Sequence, residues 1–343
     1  MPILTICKKG PALARQSGCL TDISLFCAAL FLVLSATPLR TIAQEFPARS
    51  IRLIVPFPPG GSTDIFARMF GQKLSENIRQ PVVIDNRAGG GTLIASDALI
   101  KSPADGYTLM LSSVTTFSVN QSLYEKLPYD PFTDFAPVSL TGRFPLVLVV
   151  GKDIPARSIR ELLALVKTRP QEFHFGSPGP ASVHRLAMEM LSFRAGVELV
   201  HVPYKGSNPA MQDLLGGRIA MMFVGVDSGA EVIRSGRVRA LGIGTAERFA
   251  GMPDVPAIAE SGLPGFEASA WQGLVAPART PAPVVQKLNA EIARVLGDAA
   301  IRQKLLAAGI EPLRSTPEEF AAYMRTEAVK WAEVVRRAKV SAD

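Results

Sequence analysis

The chain has 343 residues, enough for two domains of ordinary size, and its 48% hydrophobic and 20% charged content is globular rather than disordered. Its formal charge of +7 is a mild bias, and no Lys/Arg run with interleaved aromatics exists, so nothing in it calls for nucleic acid. Cys7, Cys19 and Cys27 are the only cysteines, all in the first 27 residues.

Those first residues read as a secretory signal over 1–43. Lys8, Lys9 and Arg15 give a basic start, Ile23 to Ala36 an apolar run of signal length, and Thr41-Ile-Ala43 a small-x-small site. Cleavage is expected before Gln44, near Ala43, with an uncleaved anchor as the alternative. A lipoprotein is disfavoured because Phe26 is bulky beside Cys27. The mature chain then carries no disulfide, thiolate metal site or cysteine nucleophile. The leader holds Lys8, Lys9, Arg15 and Arg40 against Asp22, leaving the mature chain at +4.

Ile51 to Val55 is a short apolar run, as in a strand covered on both faces. Pro56, Pro58 and Pro59 end it, Gly60 and Gly61 turn the backbone, and Ser62 or Thr63 can cap a helix whose positive end suits Asp64. The turn is either a plain strand-to-helix junction or an anion site made of free N–H groups. Ile65, Phe66, Met69, Phe70, Leu74 and Ile78 carry a helical period. Pro81–Asp85 is a second strand, Thr92–Lys101 a short helix and Tyr107–Leu111 a third strand. This β-α-β-α-β pattern predicts a parallel sheet, with ligands beyond its carboxyl ends. Ser112, Ser113 and Thr116 lie there.

Two apolar runs, Ala136–Leu140 and Pro145–Val150, mark the passage from one lobe to another. Ser158-Ile-Arg-Glu161 is a capping box. Phe173–Phe175 is a strand, and Gly176-Ser-Pro-Gly-Pro-Ala-Ser182 a second turn that runs into a helix over Val183–Phe193. Val197–Val202, Ile219–Val224 and Val238–Ile243 are further strands, with a helix from Ser207 to Leu215. The chain then returns through a short helix within Asp254–Gly262, a strand over Ala270–Val275, helices over Thr280–Leu296 and Ala299–Ala308, and a capped helix from Thr316 to about Lys339.

The informative fact is duplication. Two Gly/Ser/Pro turns, one per lobe, each open a helix. If the lobes face each other, two helix N-termini can grip a carboxylate without an arginine. Neither turn is a Walker loop or a dinucleotide Gly-x-Gly-x-x-Gly. Asp64 is either a cap on its own helix or an acceptor for a ligand hydroxyl, amine or water. His174 and His201 fall in strands, Ser182 and His184 stand too close for a Ser–His pair, and no metal-ligand spacing occurs. Tyr204 and Trp271 can wall a pocket or fill a core.

These residues resemble the tripartite tricarboxylate transporter substrate-binding proteins, the Bug family. The likeness runs over nearly all of the mature chain. It comprises Phe46-Pro-x-Arg49-x-Ile51, Val55-Pro-Phe-Pro-Pro-Gly-Gly-x-x-Asp64, Ala67-Arg68, Pro81-Val-Val, Asp85-Asn-Arg and Pro103-x-Asp-Gly-Tyr-Thr-Leu109. Further on stand Phe175-Gly-Ser-Pro-Gly179, Val202-Pro-Tyr-Lys-Gly-Ser207, Asp213-Leu-Leu-x-Gly217, Arg239-Ala-Leu241, Pro253-Asp-Val-Pro256 and Gly273-Leu-x-Ala-Pro277.

The resemblance implies an α/β, type II periplasmic binding protein fold, with two lobes, two crossings and a cleft that closes on a small carboxylate. In the family, amides and ordered waters from the two turns hold one carboxylate. The lobes are expected at 44–143 plus 247–343 and at 144–246. The expected function is non-enzymatic, periplasmic capture of a di- or tricarboxylate, aromatic or amino acid, without cofactor or metal. Delivery would go to permease subunits of a tripartite tricarboxylate-type transporter; the alternative is a ligand sensor for a signalling partner. A monomer is expected. The candidate ligand-binding residues are Phe57, Pro59, Gly60, Gly61, Ser62, Thr63 and Asp64, then Ser112, Ser113 and Thr116. Gly176, Ser177, Gly179, Ala181 and Ser182 follow, with Tyr204, Val224 and Gly225. The chain departs from the family pattern at Ala181, where glycine is usual. It departs again at Arg185, where histidine is usual, and at Val224-Gly225, where many members carry aspartate.

Overall fold

The computed structural model describes residues 46–169 and 171–340, together with Gly10; the signal assigned to 1–43 lies outside the described residues. Strand β1 (Ile51–Val55) runs parallel between β2 (Val82–Asn86) and β3 (Thr108–Ser113). Helix α1 (Ser62–Ile78) crosses from β1 to β2, and α2 (Leu93–Ile100) from β2 to β3. Ile51, Leu53 and Val55 pack toward Phe66, Phe70 and Leu74 of α1, while Ile54 faces a second core on the other side of the sheet. Burial on both faces is why β1 is apolar at every position but Arg52.

The link between the lobes is longer than the sequence suggests. The two apolar runs are one strand, β4, of 17 residues from Phe135 to Gly151. Up to Pro145 it pairs antiparallel with β9 (Ser269–Pro277), which lies against β3. From Leu146 onward it pairs antiparallel with β7 (Met221–Gly225) and β8 (Val238–Ile243). Pro145 stands at the changeover, where a missing N–H is tolerated, and so it mimics a strand boundary in the sequence. Strands β5 (His174–Ser177) and β6 (Val200–Pro203) run parallel beyond β7. The sheet order is β2-β1-β3-β9-β4-β7-β5-β6. A second crossing is tied in where the Gly244 amide donates to Leu146 O at 2.7 Å and the Ala268 amide to Gly244 O at 2.8 Å. The short β10 (Glu311–Pro312), which the sequence reading passed over, adds to β4 at Gly142 and Arg143.

A wide turn over Thr115–Val119 and the short α3 (Asn120–Leu123) follow β3. Helices α4 (Ile159–Thr168), α5 (Val183–Ala195) and α6 (Ser207–Leu215) belong to the second half. So does α7 (Val226–Arg234), absent from the sequence reading because Ser228 and Gly229 break its helical signal. Gly229 is a packing requirement, since a Cβ there would come within 2.7 Å of Val224 Cγ1. Helices α8 (Ala282–Gly297), α9 (Ala299–Ala307) and α10 (Pro317–Ala338) close the chain. One apolar cluster passes through both halves, joining Phe117, Trp271 and Phe320 to Leu146, Leu148 and Phe223.

Candidate functional site

The first turn is built around a buried carboxylate. Asp64 is 2% exposed and accepts from the Gly60 amide at 2.9 Å, Arg68 Nε at 2.9 Å and Asn86 Nδ2 at 3.0 Å. The hydrogen bond from Arg68 is the main reason its carboxyl titrates low, at about 2, although burial opposes the shift. Asn86 also donates to Phe57 O at 3.1 Å, so both ends of the turn are held. Gly60 has φ +84°, which only glycine adopts freely. Asp64 is therefore a brace of the turn, and it does not line the cavity described below. Asp64→Asn is expected to cost about 1–3 kcal/mol in a urea titration, the usual range for a lost charged hydrogen bond. With a carboxyl pKa depressed from 3.8 to about 2, the Asp64 contribution is present above pH 3.8 and is lost as pH falls towards 2.

Helix α1 begins at Ser62 with Gly61 as its cap, in extended backbone (φ −78°, ψ 166°) and without a side-chain cap. The Ser62 hydroxyl, a plausible cap by sequence, instead donates to the carboxylate of Asp227 at the start of α7. Helices α6 and α7 likewise start after glycines, Gly206 and Gly225, with no side-chain cap. Of the four helices that open on this space, α5 alone has a side-chain cap, the Ser182 hydroxyl, which accepts from the Arg185 amide at 3.3 Å. Ser62, Val183, Ser207 and the Gly225–Asp227 corner all line one cavity of about 340 Å³. Four positive helix ends therefore converge on one space, three of them with no side chain capping their amides.

Of the predicted residues, Phe57, Ser62, Thr63, Ser113, Ser182 and Gly225 line this cavity. Pro59, Gly60 and Gly61 form the exposed turn behind Ser62. Ser112 and Thr116 bond each other, and Thr116 donates to Thr92 Oγ1 at 2.8 Å, in a buried network away from the cavity. Gly176 and Ser177 are the end of β5, not part of the turn. A Cβ on Gly176 would lie 2.5 Å from Ile219 Cδ1, so this glycine serves close packing. Ser177 is fully buried; its hydroxyl contacts His201 Nε2 at 2.7 Å and donates to Gly179 O at 2.8 Å, which makes it a brace of the turn and not an exposed nucleophile. Gly179 and Ala181 sit in the second turn but not on the cavity wall. Tyr204 donates to Asp213 at 2.8 Å, and Val224 packs in the core of the second half.

The sequence reading missed Val114, Thr115, Phe144, Leu146, Pro178, Val183, Ser207, Asp227, Ser228 and Ala270 as wall residues. Trp271 walls the cavity and is also core. Its Nε1 donates to Glu327 at 2.7 Å, and its ring stacks on Phe117 at 5.9 Å. Arg185, which stands where the family usually has histidine, is bound to Glu189 at 3.2 Å and donates to Pro180 O at 3.1 Å. Among the described residues no lysine or arginine lines the cavity, and Asp227 and His184 are its titratable side chains. The Ser113 hydroxyl, in a residue 9% exposed, makes no hydrogen bond within the protein. Gln272, opposite Ser113 in the β3–β9 ladder, is fully buried with both amide atoms unpartnered. Buried polar atoms in native proteins are almost always satisfied, so the Ser113 hydroxyl on the cavity wall calls for a polar occupant, whereas Gln272 does not line the cavity and its Nε2 lies beside Gly142. A larger hollow of about 930 Å³ lies between α7 and α9; Arg234 and Arg302, Asp227 and Glu231 and both ends of α9 line it, and no residue of the two Gly/Ser/Pro turns does.

Burial pushes His184 down to about 4 despite the Asp227 charge, and burial also pushes His201 down to about 4. Both rings are neutral at pH 7. The unfolded chain binds their protons near 6.5, so this stability is present above pH 6.5 and is lost as pH falls towards 4. Each can contribute a slope of up to about 1.4 kcal/mol per pH unit. Urea midpoints between pH 7 and 4.5 should show it, and His184→Gln should flatten the dependence.

Two α/β lobes that share a long strand and enclose such a cavity are the architecture of a two-lobe solute-binding protein. The chain belongs to the tripartite tricarboxylate transporter family receptors (TctC), whose family model matches residues 66–340. It is 42% identical to BugT of Bordetella pertussis over 295 residues, covering 86% of this chain and 90% of BugT. Its fold is similar to that of a Rhodopseudomonas palustris protein solved with adipate (TM-score 0.76, 35% identity, 87% of this chain and 99% of that one). It is also similar to MatC of the same organism, solved with bound malate (TM-score 0.71, 33% identity, 84% and 100%). Among the described residues no helix is long and apolar enough to cross a membrane.

Proposed function

We propose that this protein is a periplasmic solute-binding receptor that captures a small carboxylate between its lobes and presents it to the permease of a tripartite tricarboxylate-type transporter. The observation that carries the reading is the convergence of four helix N-termini on one cavity without a lysine or arginine in its wall. The unpartnered Ser113 hydroxyl supplies a donor at the same place. Adipate and malate in the related R. palustris structures are ligands of this chemistry. A volume of about 340 Å³ equals roughly eleven water volumes, enough for a six-carbon acid and a few waters. The same reading places the lobes at 44–143 plus 247–343 and at 144–246, acting as a monomer after cleavage before Gln44. It assigns no catalytic step to the cleft. Ligand would hold the lobes closed by population shift, and the closed form would be the one the permease recognises.

A thermal-shift screen of mono-, di- and tricarboxylates, aromatic acids and amino acids tests this. A true ligand at 100 times its Kd adds about 2.7 kcal/mol and raises the midpoint by several degrees. Stabilisation by neutral sugars or simple amines alone, with no acid active, would reject the anion-site reading.

A further inference from the structure

Asp227 sets a constraint that the helix ends alone do not. Its carboxylate accepts the Ser62 hydroxyl, which places it at the first residue of α1, beside amides that carry no side-chain cap. The other carboxylate oxygen lies 3.4 Å from Ser228 Oγ. Asp227 forms no ion pair among the described residues, and no cationic side chain lines the cavity. Arg234 and Arg302 line the neighbouring hollow but do not pair with it. His184, the other titratable wall residue, is neutral at pH 7 and cannot offset the charge.

One spot thus makes two opposite demands. The open amides of α1 ask for an anion, and Asp227 asks for a hydrogen-bond donor, best a cation. A plain carboxylate set on the amides would meet the Asp227 carboxylate at close range, where like charges repel. An amino acid head satisfies both, because its carboxylate and ammonium sit on one carbon. The carboxylate can take the amides while the ammonium takes the place of the Ser62 hydroxyl on Asp227. We propose that Asp227 is a specificity-determining residue, and that the cleft selects carboxylates bearing an ammonium beside the carboxylate over the same acids without it. This inference rests on reading the cleft as a carboxylate site.

The test is calorimetry on the mature chain with matched pairs that differ only in the ammonium: glutamate against glutarate, aspartate against succinate, norleucine against hexanoate, phenylalanine against 3-phenylpropionate. For at least one pair the ammonium-bearing member should bind ten or more times tighter. In Asp227→Asn, which keeps the shape of a half-exposed side chain and should fold, that ratio should fall to about threefold or less, while the plain acid binds as well or better. If in every pair that binds the plain acid binds wild type as tightly as its amino partner, the inference is overturned, and so it is by a ratio that survives in Asp227→Asn. If no ammonium-bearing acid binds while another carboxylate stabilises the protein in the thermal screen, this inference falls and the carboxylate function stands. If no acid of either kind binds, both fall.

Discussion

Glu327→Ala is expected to destabilise the protein by about 3–4 kcal/mol, the largest effect of any single truncation considered. Glu327 is 3% exposed on α10, and one of its oxygens accepts from two indoles, Trp271 Nε1 at 2.7 Å and Trp331 Nε1 at 2.9 Å. Its other oxygen pairs with Lys330. Truncation leaves two buried N–H donors unpaired, each costing about 1–3 kcal/mol, and removes the partner of a half-buried ammonium. Glu327→Gln keeps an amide oxygen for the indoles and should cost clearly less. The damage should reach the cleft, because the edge contacts of Trp271 with Phe320 at 6.0 Å and Tyr323 at 5.1 Å fix the ring that walls it. Urea unfolding gives the stability, and near-ultraviolet circular dichroism should report a loosened Trp271 before unfolding. Equal cost for the two substitutions would mean that the charge, and not the doubly used acceptor, matters.

The second large effect concerns the first turn. Gly61→Pro is compatible with the observed φ of −78°, and the nearest atom to an added Cβ, Pro58 O, stands 3.7 Å away. Its main chemical consequence is the loss of the amide just before Ser62, the first α1 residue on the cavity wall, an amide expected to reach the carboxylate when the lobes close on it. A hydrogen bond to a charged group is worth about 1.5–3 kcal/mol, so carboxylate affinity should fall roughly ten- to a hundredfold. Gly61→Ala keeps the amide and should bind within about threefold of wild type. Calorimetry on both, with circular dichroism melts to confirm folding, separates loss of the donor from loss of the glycine. Unchanged affinity in a folded Gly61→Pro would mean that the ligand is held elsewhere.

The sequence spoke clearly where a local rule decides the structure. Pro56 to Asp64 could form little besides a strand, a turn and a helix start, and Gly60 needs its positive φ. It spoke less clearly where one residue type serves two purposes. Gly176 and Ser177 look like turn residues but end a buried strand, where the glycine admits Ile219 and the serine braces Gly179. Pro145 looked like a boundary and is a mid-strand changeover between partners. Asp64 could read as cap or ligand group, and only the positions of Gly60, Arg68 and Asn86 decide for the brace. Of the four helix ends, Ser207 was missed as a site residue, and Gly225 was named without the helix that it opens. Gly206-Ser207 and Gly225-Val-Asp227 carry no proline–glycine signature, and their approach to Ser62 depends on how the chain crosses between lobes. Asp227 stands 165 residues from its partner Ser62, a separation that no periodicity or spacing can bridge.

The most direct test of the central claim is a crystal structure of the mature chain with the acid that stabilises it most. The account predicts carboxylate density in the cavity lined by Ser62, Ser113, Val183 and Ser207, with an oxygen about 3 Å from at least one helix-start amide. Density seated instead in the hollow between α7 and α9, or a carboxylate neutralised by a lysine or arginine side chain, would contradict it.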